Sequence, residues 1–132
     1  MNNEFLNPQE LCPTFGWTHV VSSRGGKTIH ISGQVGIDRQ GKVVGGGDMK
    51  AQTEQAFQNV QIALNAAGAS FADVVKTSIF VVGLKPEVVP IIREVRGRYV
   101  SADTPPASTL VGVTSLVGTD WLIEIEATAV VP

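Results

Sequence analysis

The sequence predicts a two-layer α+β domain, in which a single β-sheet is covered on one face by two helices. Three observations predict it. Short β-branched, apolar runs are bounded by glycine-rich turns, two segments carry apolar residues at 3–4-residue spacing, and a strand-like run separates those two helices. Residues 1–14 lack a clear period and read as an irregular N-terminal segment of a single domain spanning 1–132. Trp17 to Val21 and Thr28 to Val35 read as two antiparallel strands. The intervening Arg24-Gly25-Gly26-Lys27 has the glycines a hairpin turn requires. Asp38 to Lys42 forms a further turn into a short Val43-Val44 strand, and Gly45-Gly46-Gly47 releases the chain into a helix.

That helix is the clearest signal in the chain. Asp48 is placed to cap it, Met49, Ala56, Phe57, Val60, Ala63, Leu64 and Ala67 form one stripe, and Gly68 closes it. Asp73 to Val82 reads as a strand and Pro86 to about Tyr99 as the second helix. Pro90 lies in that helix's first turn, where a missing N–H costs least. Thr109–Val117 and Trp121–Val131 supply the last two strands. In the final strand the period-2 alternation puts Ile123, Ile125, Ala127 and Ala129 on one side and Leu122, Glu124, Glu126, Thr128 and Val130 on the other. The strand from Asp73 sets Lys76, Ser78, Phe80 and Val82 on one face. A face mixing these residues with the two glutamates is too apolar for water and too polar for a closed core. It suits a subunit interface holding a polar pocket.

Composition agrees with hidden surface. The 132 residues are 43% hydrophobic and only 17% charged, where soluble domains average about 25% charged. A net charge of −2 offers no basic stripe for phosphates and argues against a nucleic-acid partner. The lone Cys12 cannot form an internal disulfide. No apolar run approaches the roughly 18 residues of a membrane span or follows a basic start. These features together read as a reduced cytoplasm with no membrane partner.

Few residues carry chemistry. Glu124 and Glu126 share a strand face about 7 Å apart. They either hold a water for acid/base work or pair with Lys76 or an arginine of another subunit. The only histidines, His19 and His30, have no metal-ligand spacing, so no metal is expected. The chain lacks the glycine fingerprints of phosphate loops and the serine-hydrolase elbow. Arg93, Arg96 and Arg98 either grip a carboxylate or form a solvated helix face.

Six pieces in order resemble the Rid/YjgF family: Trp17-Thr18-His19-Val20-Val21, Ile31-Ser32-Gly33-Gln34-Val35-Gly36, Ala66-Ala67-Gly68-Ala69, Asp73-Val74-Val75-Lys76-Thr77, Pro105-Pro106-Ala107-Ser108-Thr109 and Ile123-Glu124-Ile125-Glu126-Ala127. The match runs from about Phe15 to Val131. It implies a chorismate-mutase-like fold and a homotrimer with small-molecule pockets between subunits. It also implies hydrolysis of enamines and imines to carbonyl compounds and ammonia, without cofactor or metal. Carried over, the water-holding catalytic role falls on Glu124, the aromatic closing the pocket on Trp17, and the pocket wall on Ser32 and Gly33. The family's carboxylate-clamping arginine is replaced by Ser108, a neighbouring cysteine by Leu110, and an asparagine of the second helix by Ile91. A hydroxyl cannot replace a bidentate cation. Three expectations follow: Arg93 or Arg96 restores the clamp, the substrate lacks a carboxylate, or the pocket binds a metabolite without turnover.

Overall fold

The computed structural model describes residues 2–132. Asp48 starts the first helix, α1 (Met49–Ala66), because its extended backbone lets the side chain accept the N–H groups of Lys50 and Ala51 at 3.0 and 3.3 Å. The helix ends where Gly68 takes a φ of +79°, which lets Gly68 and Ala69 donate back to Asn65 and Leu64. Its stripe of Ala56, Phe57, Val60 and Leu64 is fully buried. These side chains pack on a four-stranded sheet of β3 (Lys27–Val35), β6 (Ile123–Val131), β4 (Val74–Val82) and β5 (Ala107–Val113), in that spatial order. The second helix, α2 (Val89–Arg96), lies between β4 and β5 in the chain. It makes the crossover that a parallel pair requires, and β4 and β5 are parallel while β6 runs antiparallel to both its neighbours.

The core lies between this sheet and the helices. Ile79, Val81, Ile123, Ile125 and Ala129 on the sheet meet Phe57, Leu64, Ile92 and Val95, all completely buried. The alternation read from the last strand therefore holds. Glu126 and Lys76 face the uncovered side, with Phe80 and Glu124 half-buried there.

Several boundaries differ from the expectation, each for a local reason. The N-terminal segment is not wholly irregular, since β1 (Asn2–Leu6) pairs antiparallel with β2 (Val20–Arg24). Strand β2 thus takes β1 as its partner, whereas β3 pairs with β6, so the expected single sheet is divided into two. Strand β2 begins three residues late because Thr18 is bound elsewhere: its N–H donates to Pro106 O at 3.1 Å and its hydroxyl to Pro105 O. Val43 forms only an isolated bridge with Ile37. Phe71–Asp73 form a 3-10 turn before β4. Strand β5 stops at Val113, opposite Val82, where β4 runs out of residues to pair. Trp121 joins a turn, its N–H donating to Gly118 O, before β6 begins at Ile123. The start of β6 is fixed from α1: buried Gln52 donates to Gly46 O and Asp120 O and accepts the N–H of Leu122, at 2.9–3.0 Å.

Candidate functional site

Strand β5 forms the floor of a cavity of about 370 Å³ on the helix-covered side of the sheet edge. Ser108 lies opposite Thr77 and Leu110 opposite Ile79 in the parallel ladder, so both point to that side. Thr77 Oγ1 donates to Ser108 Oγ at 2.9 Å. Leu84, from the β4–α2 connection, and Trp17 complete the apolar lining. The two bonds from Thr18 to the Pro105-Pro106 stretch bring the neighbouring Trp17 beside the start of β5.

Helix α2 closes the cavity with Val89, Arg93 and Arg96, positions i, i+4 and i+7 on one stripe. Ile92 and Val95 face the core instead. The three arginines have different fates. Arg98 binds Glu54 and Glu94, both at 3.0 Å, and its hydrogen bond to Glu54 is the leading cause that raises its pKa. Arg96 is only 8% exposed. Its Nη2 donates to Phe15 O at 3.2 Å, and a Cβ on Gly16, whose φ is +81°, would stand 2.6 Å from that nitrogen. Among the described residues no carboxylate lies within 4 Å of Arg93 or Arg96. Burial, and then the charge of Arg93, lower the Arg96 pKa. Arg96 is buried and Arg93 beside it is exposed; with no counter-charge at either, an anion in the cavity gains from both.

Glu124 lies elsewhere. In the ladder it stands opposite Phe80, so it faces the uncovered side, while Ser108 and Leu110 point to the helices. Its carboxylate rests over Gly33, which sits in the irregular stretch of β3 between Ile31 and Gln34. Ser32, in the same stretch, is exposed. A Cβ on Gly33 would overlap the Glu124 carboxylate, with Cδ at 2.7 Å and Cγ at 2.8 Å. Gly33→Ala is therefore expected to displace Glu124 while changing stability by less than about 1 kcal/mol, because the atoms it meets belong to a half-buried, flexible side chain. Thermal melting checks the stability, and a crystal structure of the variant checks the displacement.

Of the residues singled out in the sequence, Trp17, Ser108 and Leu110 meet in the cavity with Arg93 and Arg96, and Gly33 meets Glu124 on the other face. Ile91 is half-buried and is not among the residues lining the cavity. Leu84 and Val89 were not expected there. The stripe linking Val89 to Arg93 and Arg96 was present in the sequence, whereas the position of Leu84 depends on the turn after β4. A second, smaller depression of about 140 Å³ lies on the uncovered face, lined by His30, Lys76, Ser78, Glu126 and Thr128 among others. No helix among the described residues is long and apolar enough to cross a membrane.

Comparison with known proteins gives a consistent picture. Residues 8–131 match the family model described as endoribonuclease L-PSP. A 2-iminobutanoate/2-iminopropanoate deaminase of Dermatophagoides farinae is 32% identical over 106 residues, 80% of each chain. The human 2-iminobutanoate/2-iminopropanoate deaminase is also 32% identical, over 79% of this chain and 73% of its own. Among solved structures, YyfB of Yersinia pestis, described as a protein of unknown function of the conserved Rid family, superposes with a TM-score of 0.92 at 38% identity, covering 99% of this chain and all of that one. With two helices on one face of a mixed four-stranded sheet and relatives matched along most of its length, the chain belongs to the Rid/YjgF family.

Proposed function

We propose that the protein is a cytoplasmic homotrimer that binds a small enamine or imine carboxylate between subunits and hydrolyses its C=N bond, releasing a carbonyl compound and ammonia. The observation that carries this reading is buried Arg96 with exposed Arg93 one turn before it, both free of any carboxylate partner within 4 Å among the described residues, beside Trp17 and Ser108. The pair takes over the clamp that Ser108 cannot provide. The opposite orientations of Glu124 and the cavity support the trimer: one protomer holds the anion site on one face and the carboxylate base on the other, and a neighbouring copy brings the two together.

In this mechanism the arginines hold the substrate carboxylate, Trp17 closes the pocket, and Ser32 and Gly33 flank Glu124. Glu124 takes a proton from a water whose oxygen adds to the C=N carbon. With the C=N group reacting as its iminium, the carbinolamine receives that proton on nitrogen; the C–N bond then breaks as Glu124 takes the hydroxyl proton and the C=O bond forms, and that proton leaves with the ammonia as ammonium. No cofactor takes part.

Imines generated in place from a panel of amino acids by an amino-acid oxidase provide the test. Release of ammonia well above the rate in buffer is the expected result. A rate equal to buffer across the panel removes the catalytic reading. The separation of Glu124 from the cavity within one protomer favours, as the second reading, a trimer that binds the same carboxylates without turnover. A monomer in light scattering defeats both.

A further inference from the structure

We infer that the ligand of this site is a carboxylate bearing a bulky apolar substituent, with Leu84, Val89 and Leu110 as its specificity-determining residues. The inference rests on the proposed arginine clamp and names the substrate class it serves. Polar recognition in the cavity is concentrated on one stripe, the guanidinium groups of Arg93 and Arg96. The Ser108 hydroxyl accepts from Thr77 at 2.9 Å, which leaves its single proton and the Trp17 indole N–H as the other polar side-chain groups, both donors. The remaining lining is one indole and three aliphatic side chains.

The aliphatic wall is built into the fold. Ser108, Leu110 and Gly112 alternate onto the helix side of β5. Gly112 has no side chain, and a Cβ there would stand 3.1 Å from Leu84 Cβ. The bare glycine thus lets Leu84 lie down on the strand, in line with Leu110. Val89 faces them from the first turn of α2, one turn before Arg93. The cavity, about 370 Å³, falls in the range of roughly 300–1,000 Å³ that accommodates whole small-molecule ligands. A ligand that is little more than a carboxylate and a C=N group leaves this wall against water, whereas a branched or aromatic substituent covers it and gains in proportion to the apolar area removed from solvent.

Isothermal titration of the full-length protein with stable 2-oxo acids separates the possibilities. Pyruvate, 4-methyl-2-oxopentanoate and phenylpyruvate share one head group and differ in apolar bulk, and inorganic phosphate serves as a further anion. The expected result is that the branched and aromatic acids bind at least about tenfold more tightly than pyruvate. Val89→Trp, which fills the cavity, and Val89→Thr, which keeps its shape but adds a hydroxyl, should both narrow that ratio. Pyruvate binding as tightly as the larger acids overturns the inference while leaving the clamp in place. An unchanged ratio in both folded variants also overturns it. Binding of phosphate in preference to every 2-oxo acid assigns the arginines to a phosphate and overturns it as well. No binding of any anion defeats the clamp and the inference together.

Discussion

Arg96→Met is expected to weaken 2-oxo acid binding by about 2–4 kcal/mol, roughly 30- to 800-fold. The variant keeps most of the apolar stem and removes the guanidinium, so the loss reads the charge rather than the packing. Arg98→Ala is the matched control. Arg98 sits two residues further on, yet its charge is consumed by Glu54 and Glu94 at the surface. Its loss is expected to leave affinity unchanged and to alter stability by less than about 1 kcal/mol. Calorimetric titration of both variants decides the matter: wild-type affinity in Arg96→Met would show that the buried guanidinium serves only to hold the Phe15 carbonyl.

A larger effect is expected on turnover. Glu124→Gln preserves the shape over Gly33 but removes the base, and should slow imine hydrolysis by about 10²- to 10⁴-fold. Arg96→Met should be inactive for a different reason. Because the two groups point to opposite faces of the sheet, trimers assembled from equal amounts of the two inactive chains should regain activity. A site completed across an interface is intact when its cavity comes from the Glu124→Gln chain and its carboxylate from the Arg96→Met chain, which random assembly produces at about a quarter of sites. Mixed trimers, identified by native mass spectrometry, that stay as inactive as their parents would rule out a site shared between subunits.

The layer arrangement was legible because it follows from local chemistry. Asp48 and Gly68 bracket α1, the period of 3–4 buries Phe57 and Leu64, and the period of 2 separates Ile123 and Ile125 from Glu124 and Glu126. Long-range pairing was less accessible. Nothing within residues 1–14 or 17–27 indicates that Val20–Arg24 pairs with Asn2–Leu6, and the Arg24-Gly25-Gly26-Lys27 turn suggested a simple hairpin with β3. Strand β5 ends before the apolar run does because strand length depends on the partner: Thr114 to Val117 have no β4 residues left to meet.

The site divides in the same way. Glu124 over Gly33, and Trp17 near Ser108, correspond to motifs that could be recognised in the chain. The distinction among Arg93, Arg96 and Arg98 could not be, because it turns on Glu54 in α1 capturing one of them and on Phe15 and Gly16 burying another. Ile91 was singled out by its position in the motif, but the phase of α2 directs Val89 and Arg93 into the cavity.

The amide of Gln52 sets the parity of the last strand. Leu122 donates to it from one side and Asp120 accepts from it on the other, so the residue at which β6 begins is specified by α1 and not by the length of the loop between Val113 and Leu122. A slip of one residue would turn Glu124 inward against Phe57 and Leu64 and expose Ile123 and Ile125. Adding or removing residues between Thr114 and Gly118 therefore leaves the direction of the carboxylate unchanged. That loop is free to acquire new sequence while the chemistry on the sheet stays in register.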